Sequence, residues 1–533
     1  MKTIFYKNHG FESHFTLLYS FYCNLINTNG YSITSIYYFY QCNLCYLPSF
    51  FLESILFIYI LYQITFFKQK KNNYKLIHFT YVNFLILLTT ISIVIYCFFC
   101  VDMLIGTYVI TNKYVFFSKI TILFLMIISL IISSNKYINY SNKTSLTELP
   151  IIFSFLLLFI FLLFSSYDFF IIYLCVEGIS LILYTLGSLM HNNLINIESI
   201  VKYFIINNMA SSTLLWSISY FYILVGSTDA FDIEYYIITK LEIITISNLY
   251  YILFILICSI CCKLALFPFQ WWIMDVFEGL WTPITIVYAV IIKVAFFLFF
   301  FKLVFGPLQC LIFLFQPFLL ISAVGSIVYG SICALTQVRI KRFIAYTSIA
   351  QSGYITMGLT CNSMNGAISS LLYLVMYCII TLSFFTIIIN TEHIVKKNTI
   401  IYLNQLYSLF FYNKEISLHL ILIMLIMAAI PPFSSFFTKF FIFFVCIDAK
   451  LELTTIVLLS VTLISTFYYL NFIQELIFLK YKNNKFFYYN NKTINFLYLK
   501  INSIFFIMSI FFLPFFYNLG LNLFFSCAYL LIV

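Results

Sequence analysis

The stretch Tyr250 to Gln270, YYILFILICSICCKLALFPFQ, decides how the chain folds. It is apolar apart from Ser259 until it reaches Lys263, and it then meets Pro268. A membrane-spanning helix needs about 20 predominantly apolar residues, which this run supplies. An interior proline removes a helical hydrogen bond and opens the backbone. At membrane depth an opened helix is tolerated only against protein or a water-filled cavity. The run therefore reads as a transmembrane helix that breaks beside a charged residue.

The rest of the chain is of the same kind. Its 533 residues are 63% hydrophobic and only 9% charged, with mean hydropathy +1.03. A soluble domain carries roughly a quarter charged residues, so a water-soluble fold is excluded. With 14 Gly and 9 Pro and no long polar stretch, nothing divides the chain into linked globular units. The sequence predicts an all-α polytopic membrane protein of about fourteen transmembrane helices. These spans, numbered 1 to 14, run 50–67, 79–101, 115–133, 150–165, 168–189, 202–226, 250–268, 281–303, 316–336, 343–360, 367–390, 417–446, 452–473 and 502–520. Residues 1–49 are an N-terminal extension that is aromatic but punctuated by polar residues, with no signal-peptide pattern.

The loops check this count, because basic residues gather in alternate connections when the number of helices is right. Lys68, Lys70, Lys71 and Lys75 follow span 1, Lys136 and Lys143 follow span 3, and Arg339, Lys341 and Arg342 follow span 9. Lys396 and Lys397 follow span 11, and five lysines from Lys480 to Lys500 follow span 13. The longest opposite connection carries Asp229, Asp232, Glu234 and Glu242. The basic side is thus the matrix or cytoplasmic face.

Other classes are poorly supported. The net charge of +10 lies in short loops, where it sets topology, so nucleic acid is not an expected partner. The 66 Phe and 44 Tyr, with abundant Ile, Asn and Lys but only two Arg, match the codon bias of an AT-rich genome. The 15 Cys include Cys42-x-x-Cys45, Cys97-x-x-Cys100 and Cys258-x-x-Cys261, but none forms a Cys/His cluster with zinc spacing. In apolar runs cysteine acts as a small hydrophobe. No metal site and no haem, flavin or nucleotide signature is expected.

Four ionisable residues stand well inside the spans: Glu177 in span 5, Lys263 in span 7, Lys293 in span 8 and Lys439 in span 12. Each costs about 2.5–3.5 kcal/mol if it faces lipid at the bilayer centre, so each is expected to face a polar interior with a partner. Buried ion pairs or snorkelling side chains are the structural alternative, and Lys119 and Lys302, near helix ends, are expected to snorkel. Lys293, deep in its span, has no such escape. Desolvation moves lysine towards neutrality, whereas arginine stays charged, so lysine suits proton transfer. A carboxylate at about 7 Å, in an effective dielectric of about 20, would shift such a lysine by roughly 1.7 pKa units, so Glu177 can act as a gate.

Lys439 also follows prolines, Pro431 and Pro432, so spans 7 and 12 are both expected to be broken. The breaks fall five spans apart. Because five is odd, spans 4–8 and 9–13 would be inverted five-helix repeats, though two ordinary proline kinks explain the feature as well. The expected division is 1–49, the extension; 50–149, spans 1–3; 150–315, the first repeat; 316–475, the second; and 476–533, a basic loop with span 14.

Several segments carry a resemblance: Val176-Glu177-Gly178-Ile179-Ser180-Leu181, Val201-Lys202-Tyr203-Phe204, and Lys263 to Phe269 leading to Asp275-Val276-Phe277-Glu278-Gly279 and Thr282-Pro283. Further on come Ile340 to Ala350, Ile430-Pro431-Pro432-Phe433 and Phe437-Thr438-Lys439-Phe440. Over roughly residues 150–475 the chain resembles the antiporter-like subunits of respiratory complex I, most closely the subunit 2 type of NADH dehydrogenase (ubiquinone). That resemblance implies a proton relay in which Glu177 gates Lys263, Lys293 passes the proton along the midplane and Lys439 leads to an exit. Gln351 stands where many relatives have His, and Asn471 where a basic residue is common. The Asp275-x-x-Glu278 pair is expected on a basic-side connection, as a solvated or helix-capping face in preference to a site of proton uptake.

The resemblance further implies no cofactor in this chain, with NADH, FMN, iron-sulfur clusters and ubiquinone held by other subunits. The implied partners are other membrane-arm subunits, namely an antiporter-like subunit 4 and the small subunit 4L, and inner-membrane lipids. The implied location is the mitochondrial inner membrane, with the chain encoded in the organelle. A cation/proton antiporter subunit, or an arm subunit that does not pump, are the alternatives.

Overall fold

A computed structural model describes residues 112–139, 149–189, 194–240, 246–394, 401–407, 413–431 and 433–478. Spans 1, 2 and 14, the 1–49 extension, Pro432 and the basic loop after residue 478 lie outside the described residues. The described elements are α1 (Lys113–Asn139), α2 (Leu149–Ser165), α3 (Phe169–Ser188), α4 (Leu194–Val225), a short α5 (Ala230–Lys240) and α6 (Ile246–Leu264). Then follow α7 (Trp271–Gly279), α8 (Thr282–Phe305), α9 (Ile312–Leu335), α10 (Ile340–Thr360) and α11 (Met364–Ile394). The last are the short α12 (Leu403–Tyr407), α13 (Lys414–Met427), α14 (Ser434–Asp448) and α15 (Glu452–Phe478). No strands occur among them, and six described helices are long and apolar enough to cross a membrane.

Each of spans 3 to 13 coincides with one of these helices or with a broken pair. Span 12 takes in the broken pair α13–α14, whereas span 7 ends at 268 and takes in α6 and the turn after it, with α7 continuing beyond its expected end. The helices stop in the same way, at alanines in the left-handed region: Ala265 (φ 56°) and Ala429 (φ 55°). At the first break the Leu266 amide bonds to the Cys261 carbonyl (2.9 Å) and the Ala265 amide to that of Cys262 (3.3 Å). This is the Schellman arrangement, which usually uses glycine. At the second, Ala429 bonds back to Ile426 (3.0 Å). Beyond the turn, Phe269 bonds to Leu266 (2.7 Å) and Phe433 to Ile430 (3.0 Å), at matching offsets.

A second local pattern recurs where α3 and α10 begin. Asp168 forms an isolated antiparallel bridge with Asp229, and Arg339 one with Tyr402. In the first, Phe169 bonds to Thr228 (3.1 Å) and Ala230 to Tyr167 (3.2 Å); in the second, Ile340 bonds to Ile401 (3.0 Å) and Leu403 to Val338 (2.9 Å). The short helices α5 and α12 are thereby pinned to the starts of α3 and α10.

The two bridges lie at different ends of the molecule. α3 runs away from Asp168, and α4 begins beside its far end, where Asn196 Nδ2 donates to the Gly187 carbonyl at 3.3 Å. From that start Lys202 reaches Asp275, which also meets Arg342 near the start of α10. One end therefore gathers Lys202, Arg339 and Arg342, and the other Asp168, Asp229 and Asp232. Burial, reinforced by the Asp168 and Asp232 carboxylates, holds Asp229 above the usual carboxylate range.

Helix ends differ from expectation where charge had marked a loop. α4 starts at Leu194, eight residues before the expected 202, because Glu198 and Lys202 pair across one turn at 2.7 Å. Lys119 and Lys302 do not snorkel. Lys119 is fully buried with Nζ 5.7 Å from the Phe161 ring, and Lys302 is 7% exposed. Lys302 Nζ donates to the carbonyls of Phe164 (2.6 Å) and Ser166 (2.5 Å), capping the end of α2. The ammonium is satisfied by backbone that a helix end leaves free, so it has no need of the interface.

Two glycines let α10 lie close to α9: a Cβ on Gly330 would sit 2.7 Å from the Ala350 amide, and one on Gly353 2.8 Å from the Ala323 carbonyl. Close approach of small residues is how helices associate without a hydrophobic drive in lipid. At the acidic end, Asp168 caps α3 by accepting from the Phe170 amide (2.7 Å) and also accepts from Thr228 Oγ1 (3.1 Å). Asp168→Ala should lower stability by about 1 kcal/mol, with Asp168→Asn retaining most of it, as read by thermal unfolding in detergent.

Candidate functional site

The three candidate lysines are all buried: Lys263 is 6% exposed, Lys293 4% and Lys439 8%. Lys293 lies eleven residues into α8, about 17 Å from its start, so it is well within the membrane interior. None of these three lies on the outer surface of the described residues, and each meets polar or aromatic groups. Lys263 Nζ donates to the Asn207 carbonyl on α4 at 3.3 Å. Lys293 Nζ donates to the Ser348 hydroxyl (3.0 Å) and carbonyl (3.2 Å) on α10 and lies 5.9 Å from the Tyr377 ring. Lys439 Nζ lies 5.2 Å from the Tyr354 ring, within the range of a cation–π contact.

Glu177 lies within electrostatic reach of Lys263 and of Tyr203, but it forms no direct ion pair with the lysine. Its Oε2 is buried without a hydrogen-bond partner among the described residues. A carboxylate at this remove modulates the lysine without immobilising it. Near Glu177, Tyr203 meets Tyr288 of α8 edge-on with centroids 5.2 Å apart.

The backbone before Lys293 departs from α geometry. Val287–Ile292 form a π-helix, and Lys293 resumes the α-helix. Such wide turns recur at functional positions because they re-aim the side chains that follow. Here two tyrosines hold it: Tyr288 donates to the Leu183 carbonyl (2.7 Å) and Tyr377 to that of Ala289. Nothing in the composition of Val287–Ile292 signals this turn.

Beyond Lys293 the interior holds two small cavities lined in part by Gln351, Tyr373 and Lys439. The structure thus brings Glu177 within electrostatic reach of Lys263 and sets Lys439 beside both cavities, while Lys293 approaches the first only through the Tyr377 ring. Sequence reasoning missed Asn207, Ser348 and Tyr377; the first two are ordinary helical polar residues with no distinguishing pattern.

The expectation for Asp275 and Glu278 is corrected. Neither is simply a solvated or capping face, because both bind cations from other helices. Asp275 pairs with Lys202 of α4 (2.7 Å) and with Arg342 of α10 (3.2 Å). Glu278 pairs with Arg339 and Arg342, and Lys341 donates to the Leu280 carbonyl. Both arginines of the chain are spent here, tying the end of α7 to the start of α10.

The family model described as NADH:quinone oxidoreductase/Mrp antiporter, TM, matches residues 166–466. The chain belongs to this NADH:quinone oxidoreductase/Mrp antiporter family. The matched region contains Glu177, Lys263, Lys293 and Lys439. Among its relatives in the family, NADH-quinone oxidoreductase subunit N of Pelagibacter ubique is 33% identical over 350 residues, 64% of this chain and 71% of that one. NADH-ubiquinone oxidoreductase chain 2 of Marchantia polymorpha is 25% identical over 445 residues, 81% of this chain and 88% of that one. The fold is shared with a chain of respiratory complex I from Thermus thermophilus, with TM-score 0.70, 19% identity and coverage of 88% of this chain and 98% of that chain.

The ion network is a point of stability for the family member described here. Glu278 is the better-buried acid, with a side chain 14% exposed, and its loss leaves Arg339 and Arg342 short of a partner. Glu278→Ala should cost about 1–2 kcal/mol, and Glu278→Gln less, measured as a lowered unfolding temperature in detergent.

Proposed function

We propose that the chain is a proton-translocating membrane-arm subunit of NADH:ubiquinone oxidoreductase, in which Glu177, Lys263, Lys293 and Lys439 form the relay. One observation carries this reading: three lysines, each less than a tenth exposed, sit among hydroxyl, carbonyl and aromatic groups in a relative of NADH-quinone oxidoreductase subunit N. Burial of three ammonium groups with no carboxylate in direct contact has no structural benefit that apolar residues would not supply better. It does suit groups that must gain and lose protons.

On this reading the energy of quinone reduction elsewhere reaches the chain as an electrostatic and conformational signal. Glu177 and Lys263 respond as a pair, Lys293 carries the proton along the midplane, and Lys439 connects to an exit. NADH, FMN, iron-sulfur clusters and ubiquinone belong to other subunits, with an antiporter-like subunit 4 and the small subunit 4L as neighbours in the lipid of the inner membrane. A mitochondrial, organelle-encoded origin is supported by the AT-biased composition and by the likeness to the Marchantia polymorpha chain. Residues 150–315 and 316–475 are read as inverted repeats of five spans within a fourteen-helix protein. The matched turns at Ala265 and Ala429, and the matched bridges at opposite ends, support that division.

The family also includes Mrp antiporters, so a cation/proton antiporter subunit is the second reading. Copurification with flavin and iron-sulfur subunits favours the first. In the intact assembly, Lys263→Met or Lys439→Met should abolish or sharply reduce NADH-linked proton pumping, measured as protons per electron in sealed vesicles. Unchanged stoichiometry in an assembled complex would remove these lysines from the relay.

A further inference from the structure

We propose that Cys361 and Cys446 are a site of covalent modification, a reversible disulfide that staples the end of α10 to the end of α14. The bond does not depend on the relay reading above.

The two Sγ atoms lie 3.5 Å apart, in contact across the packed helices. A disulfide holds its sulfurs about 2.0 Å apart, so the pair must close by about 1.5 Å, a distance that side-chain rotation can supply. Both residues stand where the backbone is tied down. Cys361 follows Thr360, the last residue of α10, whose carbonyl accepts from Gln316 Nε2 at 2.8 Å. Cys446 lies in the last turn of α14, and its carbonyl accepts from the Leu451 amide at 3.0 Å while the Lys450 amide bonds to Ile447 at 2.9 Å. That is the same Schellman ending seen at Ala265, here with Lys450 in the left-handed region (φ 60°).

The pair also lies on the side where a disulfide can persist. α10 begins at the basic end, next to Arg339, and its 21 residues carry it about 31 Å away. Cys361 therefore stands at the opposite end, away from the matrix or cytoplasmic face. Glutathione and thioredoxin keep cytosolic thiols reduced, and this end does not face that pool.

The thiols share a seam with Lys439. Cys446 follows Lys439 by seven residues, and Cys361 likewise follows Tyr354, whose ring lies 5.2 Å from Lys439 Nζ. Seven residues are about two helical turns, so both contacts belong to one interface between α10 and α14. The bond fixes that interface at its end.

Hydrogen peroxide is the oxidant that the pair requires. Cys361 is 7% exposed and Cys446 fully enclosed, so the Cys361 thiol meets peroxide first. Its sulfur takes one peroxide oxygen to become a sulfenic acid, and the other oxygen leaves as water. The Cys446 sulfur then attacks the sulfenic sulfur; the sulfur–sulfur bond forms as the sulfur–oxygen bond breaks, and the hydroxyl leaves with the Cys446 thiol proton as a second water. The two thiols lose two electrons and peroxide gains them. A dithiol such as dithiothreitol reverses the bond by exchange.

Peptide mapping of the intact complex by mass spectrometry tests this. After peroxide treatment, with the remaining thiols blocked by N-ethylmaleimide during denaturation, digestion should yield peptides linked through Cys361 and Cys446, and dithiothreitol before the block should remove the link. Cys446→Ser should lose the link and leave a Cys361 sulfenic acid that dimedone labels. In the linked complex, amide hydrogen exchange in the last turn of α14 should slow several-fold relative to the reduced complex. Recovery of both cysteines as blocked thiols after peroxide, or linkage of either to a different cysteine, overturns the proposal, and a link that leaves exchange unchanged removes the staple. Should Cys446→Ser not assemble, the peptide map of the unaltered complex decides.

Discussion

The structure depends on the expense of keeping a charge in hydrocarbon. An ammonium at the bilayer centre costs a few kcal/mol even when the bilayer deforms around it. Lys263, Lys293, Lys302 and Lys439 all escape lipid by turning inward onto oxygen atoms or aromatic rings. The partners are mostly neutral. Backbone carbonyls of Asn207, Ser348, Phe164 and Ser166 accept from these lysines, and among the described residues no carboxylate forms a direct ion pair with any of them. A lysine held by neutral groups is closer to releasing its proton than one held by a carboxylate.

The direct ion pairs are kept for a different task. Lys202, Asp275, Glu278, Arg339 and Arg342 gather at the basic end, where side chains are partly exposed and pairs cost less to form. Arginine, always charged and able to use two nitrogens at once, is suited to holding α10 against α7. Because α10 also carries Ser348, Gln351 and Tyr354, this clamp and the glycine contacts with α9 help set where the polar groups near Lys293 and Lys439 stand.

Much of the architecture was legible in the sequence because hydrophobic run length and proline position act locally. The apolar stretches mark spans 3 to 13, and Pro268 and Pro431 mark the two places where helices stop. The four interior charges stood out for the same reason: the other acidic or basic groups of spans 5, 7, 8 and 12, namely Asp168, Lys302 and His419, lie near span ends. What could not be read depends on contacts between distant helices. Capping of α2 by Lys302 joins residues 138 and 136 positions apart, and the π-turn before Lys293 is secured by Tyr377 from another helix. Charge near a helix end was misread as a loop boundary at Lys202, although Glu198 one turn earlier pairs with it within the helix.

The central claim is that buried lysines work by exchanging protons, and Lys293 tests it most directly. Arginine in its place keeps the positive charge and similar reach but does not release a proton in proteins. With Lys293→Arg in the assembled complex, NADH oxidation should persist while protons moved per electron fall well below the unaltered ratio. An unchanged ratio would mean that the charge at this position, rather than its loss and recovery, is what matters, and the account would be wrong.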